Sequence, residues 1–182
     1  MKSLRQKILH LGCGPNKIQG AIGVDINKNI GADVIHDLNK FPYPFKKKQF
    51  DKIIAENIME HLENIPKVME ELHRICKNGS KLLITTGHFS SVDSFTDPTH
   101  IHFFTSRTFD YFIPGTDLFE YQYSRARFRK IKTILGPENN RFPLNLLLKL
   151  INKYKVLYEK RFAFIFPVGV IKFELEVIKD SK

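Results

Sequence analysis

The apolar positions of this chain come first in short, tight runs and later in wider-spaced stripes. Lys7–Leu11, Ile22–Ile26, Asp33–Asp37 and Phe50–Glu56 read as four successive strands. The run FDKIIAE at Phe50–Glu56 suits a strand buried on both faces. Over Asn64–Asn78 the period changes. Ile65, Val68, Met69, Leu72, Ile75 and Cys76 recur at helical spacing, so this segment reads as an amphipathic helix. Pro66 suits its first turn and Asn78-Gly79 its end. Lys81–Thr86 is a fifth strand. Strand, helix, strand in this order predicts parallel pairing through a right-handed crossover.

A polar loop follows, then a short helix over Ser106–Phe112 and a sixth strand over Ser124–Leu135. Pro143–Lys160 reads as one amphipathic helix with Leu144, Leu147, Leu148, Ile151, Tyr154 and Tyr158 as its apolar stripe. Lys172–Ile178 alternates, as a last strand lying antiparallel at or near an edge does. The fold class expected is α/β: a Rossmann-like, mostly parallel sheet of about seven strands, helices on both faces, the last strand antiparallel. No linker composition interrupts it, so 1–182 is expected to be a single domain. Residues 88–123 would cover an acceptor site, and 136–171 would form a basic helical insertion before the last strand.

Composition changes this picture little. The chain is 42% hydrophobic and 26% charged, ordinary for a packed domain. The N-terminal MKSLRQKILHL has no signal-peptide core, and Phe162–Ile171 is too short to cross a bilayer. Cys13 and Cys76 make no disulfide framework and are expected as free thiols in a reducing cytoplasm. Charge changes it more. Tyr121–Arg161 holds eleven basic residues against two acids, an excess close to the whole net charge of +10. Such asymmetry points to an anionic partner.

The candidate chemistry begins where the first strand ends. Gly12-Cys13-Gly14 follows it directly, Asp25 ends the second strand and Asp37 the third. In an open α/β sheet, ligands sit beyond these carboxyl ends. A dinucleotide fingerprint would need a third glycine in register and a full crossover helix to hold the pyrophosphate. Here Pro15-Asn16-Lys17 follows the turn, and only ten residues, Gly12 to Ala21, separate the two strands. A ligand with adenosine but no diphosphate loses little by this, so the turn suits S-adenosylmethionine (SAM) better than NAD.

LHLGCGPNKIQGAIGVDI, DVIHDL, FDKIIAENIMEHL and KLLITTG, in this order, resemble the motifs of class I SAM-dependent methyltransferases. The likeness is to the type 11 group, in a compact branch with a shortened first crossover. It covers roughly residues 7–112 and extends weakly to YEKRFAFIFPVGVIKFELEVIK. The resemblance implies an enzyme with SAM as cofactor and S-adenosylhomocysteine as product. It implies that Gly12, Cys13 and Gly14 line the methionine and ribose, Asp25 binds the ribose hydroxyls, Asp37 and Leu38 frame the adenine, and Asn57 lies near the methionine end. Family members often carry an acid where this chain has His10, so His10 is not taken as a ligand.

An oxygen acceptor must lose a proton, which calls for a base. The candidates are His61 in NIMEHL and His100 and His102 in TDPTHIHFF, with Asp97 placed to orient His100. Asp97, His100 and His102 also read as an incomplete metal set, and no metal is expected. The basic C-terminal third suggests a small or carrier-linked anionic acceptor, such as a phosphate-bearing sugar or a lipid-linked intermediate, with peripheral membrane contact. RNA bound along Arg125–Lys132, or a non-catalytic SAM-binding subunit, are the alternatives.

Overall fold

The computed structural model describes residues 6–137 and 143–179; residues 138–142 of the expected insertion lie outside them. Seven strands form one sheet in the order β3-β2-β1-β4-β5-β7-β6. They are β1 (Ile8–Leu11), β2 (Ile22–Asp25), β3 (Val34–Ile35), β4 (Phe50–Glu56), β5 (Cys76–Gly87), β6 (Arg127–Leu135) and β7 (Val170–Ile178). Neighbours from β3 to β5 pair in parallel, and β7 lies antiparallel between β5 and β6. The last strand is therefore antiparallel and one position in from the edge.

Between β4 and β5 runs α1 (Ile65–Ile75). Asn64 caps it, its side chain accepting from the Lys67 amide at 3.0 Å, and Pro66 sits in the first turn where its missing N–H costs nothing. The helix stops three residues earlier than its stripe suggests. Cys76 turns extended and opens β5, pairing with Phe50, so Asn78-Gly79 falls inside an irregular stretch of strand. Buried Ile65, Val68, Met69, Leu72 and Ile75 meet Leu9, Leu11, Ile53, Ala55, Leu82, Ile84, Phe173 and Leu175 in one apolar cluster.

That cluster uses one face of the sheet. The opposite face, carrying Leu83, Thr85, Lys132, Ile134, Lys172 and Glu174, stays half-buried or exposed and lines an open groove of ≈ 290 Å³. The Gly12–Ala21 crossover brings no helix to this face, because it contains turns but no helix among the described residues.

After β5 come α2 (Asp93–Thr96) and 3₁₀ turns at Thr108–Phe112 and Asp117–Tyr121. The expected Pro143–Lys160 helix is two helices, α3 (Leu144–Lys153) and α4 (Lys155–Arg161), broken at Tyr154, whose φ of −122° and ψ of 43° are not helical. Of the predicted stripe only Leu148, Ile151 and Tyr158 reach the core, while Leu144, Leu147 and Tyr154 are exposed. Buried Glu159 ties α4 down, accepting from the Ser106 amide and hydroxyl at 2.6 and 2.7 Å. Two cations of the Arg125–Lys132 segment are paired within the chain. Arg129 pairs with Glu176 at 2.6 Å, and Lys130 pairs with Asp110 on the core face.

Candidate functional site

The carboxyl ends of β1, β2 and β4 meet as the sequence pattern requires. Gly12 turns the chain with φ +61°, and a Cβ there would lie 2.5 Å from Ile58 Cγ1, so only glycine fits. Gly14 also has positive φ, +51°, but a Cβ there would meet nothing within 4 Å. Its outer side is open space. At the end of β2, Asp25 Oδ2 accepts the Gly14 amide at 2.9 Å and Oδ1 accepts the Asn27 amide at 2.9 Å. Each carboxylate oxygen has two acceptor sites, so both keep one for a ligand hydroxyl.

Asp37, just beyond β3, accepts the Asn39 amide at 3.0 Å and has Lys40 Nζ 3.8 Å from its other oxygen. The Leu38 side chain is buried in the core, and its carbonyl accepts the Tyr43 hydroxyl at 3.0 Å. Leu38 therefore offers a ligand backbone rather than side chain. The same holds for Cys13, whose side chain is buried beside Gly23 while its amide donates to the Val24 carbonyl at 3.1 Å. Both cysteines are buried free thiols, and burial pushes the Cys76 thiol up to about 12.

His10 points to the opposite face of the sheet. Its Nδ1 accepts the Ile18 amide at 3.2 Å, so in the neutral ring the proton sits on Nε2, 3.9 Å from Glu56. Burial lowers its pKa, against the opposing pull of Glu56 and Asp25. His10 thus braces the short crossover, consistent with its omission from the ligand set.

Asn57 follows β4 with φ +48°, a left-handed conformation uncommon outside glycine. From here a cavity of ≈ 670 Å³ runs under the loop after β5, bounded by Asn57, Glu60, His61, Gly87, Asp97 and His100. His61 and His100 meet edge to face, with ring centroids 4.7 Å apart. The loop is strapped down by the Ile101 and His102 amides, which both reach the Glu60 carbonyl, at 2.9 and 3.3 Å.

The His61 tautomer follows from its partner. The Thr99 hydroxyl donates its one proton to Asp97 Oδ1 at 2.7 Å, so toward His61 Nδ1, 2.9 Å away, it can only accept. Nδ1 carries the proton, and Nε2 of neutral His61 is an unprotonated nitrogen.

Two expectations change here. His102 does not join the other histidines. The twin bonds to the Glu60 carbonyl bend the chain, and His102 lines a separate cavity of ≈ 380 Å³ beside Tyr111 and Tyr123. Asp97 does not hold His100, whose Nε2 stands 4.0 Å away; it orients Thr99, and through it His61. The residue that sequence reading missed is Glu60. It is 3% exposed, and its Oε2 has no hydrogen-bond partner. Its signal was a glutamate in the middle of NIMEHL, where a 3₁₀ turn over Met59–His61 brings it inward.

Residues 9–84 match the family model described as a methyltransferase domain. An uncharacterized protein of Methanocaldococcus jannaschii is 36% identical over 70 residues, which are 35% of this chain and 34% of that one, so the match spans about a third of the relative's length. Among solved structures, a SAM-dependent methyltransferase from Archaeoglobus fulgidus superposes with a TM-score of 0.62 at 20% identity, covering 94% of this chain and 86% of that one. Haemonchus contortus phosphoethanolamine N-methyltransferase 2, in complex with SAM, gives 0.57 at 14% identity, covering 96% and 49%. At these identities the structural likeness establishes the fold.

Proposed function

We propose that the chain is a SAM-dependent methyltransferase, a reading supported by the match of residues 9–84 to a methyltransferase-domain model and by a fold shared with the SAM-dependent methyltransferase from Archaeoglobus fulgidus. The observation that carries the reading is the Asp25 carboxylate locked onto the Gly14 amide at 2.9 Å, beside the open side of the turn. SAM supplies, when bound, a methyl group on a positively charged sulfur that an acceptor atom can displace in line. Asp25 keeps an acceptor position on each oxygen for ribose hydroxyls, Asp37 stands where an adenine amino group is met, and the Gly12–Gly14 bend leaves room for the methionine part. No helix N-terminus follows the turn to hold a diphosphate.

The residues around the ≈ 670 Å³ cavity then hold the acceptor. Positioning supplies most of the acceleration in such a displacement, and a dry pocket does not oppose the loss of charge. For an oxygen acceptor, His61 takes the hydroxyl proton on Nε2, held in the right tautomer by Thr99 and Asp97. Micromolar to millimolar SAM should raise the melting temperature by several degrees while NAD leaves it unchanged; no shift with SAM counts against the reading.

The acceptor we favour is anionic and lipid-linked. One observation supports this. Leu146, Leu150, Leu157, Phe164, Ile165 and Phe166 are more than half exposed, with Lys149, Lys153, Lys160 and Arg161 exposed among them. An apolar surface with cations around it suits the interface of an anionic membrane. No helix among the described residues is long and apolar enough to cross one. Co-sedimentation with vesicles containing phosphatidylglycerol, and none with neutral vesicles, is expected. Equal recovery with both, or none, counts against a lipid-linked acceptor.

A further inference from the structure

We propose that Glu60, His61 and His100 bind one divalent transition-metal ion, Zn²⁺ or a similar borderline ion, at the wall of the acceptor cavity. A carboxylate oxygen of Glu60 and one nitrogen of each imidazole lie within 4.8 Å of one another. Ligand bonds of ~2.0–2.2 Å place tetrahedral donors ~3.5 Å apart, so the three groups close by about an ångström on an ion. Three further observations point the same way.

First, Glu60 is 3% exposed and its Oε2 is buried without a hydrogen-bond partner. A carboxylate oxygen in that position lacks the partner that buried polar groups nearly always have. A cation supplies it. Second, His61 is held as a ligand is held. Its Nδ1–H goes to Thr99 at 2.9 Å, and Thr99 in turn to Asp97 at 2.7 Å. That relay is the outer support typical of metal-bound histidines, and it leaves Nε2 free to coordinate. Third, the two elements that supply the ligands are fastened together, because the Ile101 and His102 amides grip the carbonyl of Glu60 itself.

Two imidazoles and one carboxylate select Zn²⁺, Fe²⁺ or Co²⁺ over Mg²⁺ and Ca²⁺, which want oxygen. Three protein ligands leave a coordination position for substrate, the pattern of a catalytic rather than a structural site. This catalytic use rests on the methyltransferase reading above; the binding does not. In the loaded site the His61 lone pair is engaged by the ion. His61 then serves as a ligand, and the ion lowers the pKa of an acceptor hydroxyl, whose proton goes to solvent; the base role of His61 belongs to the metal-free site.

The test is metal binding by the dialysed full chain without SAM, so its failure is separate from failure of cofactor binding. Zn²⁺ is measured by equilibrium dialysis, and Co²⁺ by the visible absorption of low-coordinate nitrogen and oxygen ligation. Wild type is expected to bind one ion per chain. Glu60→Gln should weaken binding ~100-fold and Thr99→Ala, on an exposed loop, ~10–100-fold, as loss of outer support does. His102→Ala should bind as wild type. Less than one ion per folded wild-type chain overturns the proposal, as does unchanged affinity in Thr99→Ala or loss of binding in His102→Ala. If Glu60→Gln does not fold, the Thr99→Ala and wild-type measurements decide.

Discussion

Asp25 Oδ2 accepts the backbone amide of Gly14 at 2.9 Å, joining the end of β2 to the bend after β1 across eleven positions of sequence. The acid that the ligand would use already organises the glycine turn. Asp25→Ala removes the acceptor from the amides of Gly14 and Asn27 and should cost about 1–3 kcal/mol in the unliganded protein. Urea unfolding with and without SAM separates this loss from the loss of ligand stabilisation.

The two glycines of the turn should respond differently. At Gly12 an added Cβ collides with Ile58 Cγ1 at 2.5 Å and also sits at positive φ. Gly12→Ala should lower stability by more than ~2 kcal/mol and leave little soluble protein. At Gly14 the Cβ meets no protein atom, so only the backbone strain of about 1–2 kcal/mol applies. Yet that Cβ occupies the open side of the bend. Gly14→Ala should therefore fold and lose SAM binding, which calorimetry and circular dichroism on one sample can show.

The sequence carried the strands and their mostly parallel pairing better than it carried the course of the helices. The positions of the glycine bend, Asp25 and Asp37 were legible because each sits at or just beyond a strand end fixed by local pattern. The α3–α4 region was misread because an apolar stripe shows that a face is hydrophobic, not that anything covers it. The break at Tyr154 leaves Leu144, Leu147 and Tyr154 outside. His100 and His102 looked equivalent in TDPTHIHFF, yet two amides converging on one carbonyl send them into different cavities. Glu60 stood in plain view in NIMEHL, but its lack of a partner, which marks it out, is a property of the packed turn.

His10 should impose a pH dependence. Burial holds its pKa below the ordinary 6.5, although Glu56 and Asp25 oppose this. Its stabilising contribution is therefore fully present above the unfolded value and is lost as pH falls through the folded one. Protonation also takes Nδ1 away from the Ile18 amide. Unfolding free energy should fall between pH 7 and pH 5, and His10→Asn should flatten that part of the profile. An unchanged slope in the variant argues against the assignment.

Glu159 should matter more than its place on α4 suggests. Burial raises its pKa, but hydrogen bonds from His88 and from the Ser106 hydroxyl and amide outweigh this and hold it below the ordinary carboxylate value. The stability it contributes is present above about pH 4.5 and lost as acid protonates the folded form. Glu159→Ala leaves buried Ser106 without its acceptor and should cost about 1–3 kcal/mol, measurable by denaturant unfolding at neutral pH.

The central claim is that three neighbouring strand ends receive an adenosyl ligand that has no diphosphate. Calorimetric titration of S-adenosylhomocysteine into wild type and Asp25→Asn tests it most directly. The account predicts one site per chain in wild type, binding at least ~10-fold weaker in Asp25→Asn, and no heat from NAD. Absence of binding to folded wild type, or equal affinity in the two proteins, would contradict it.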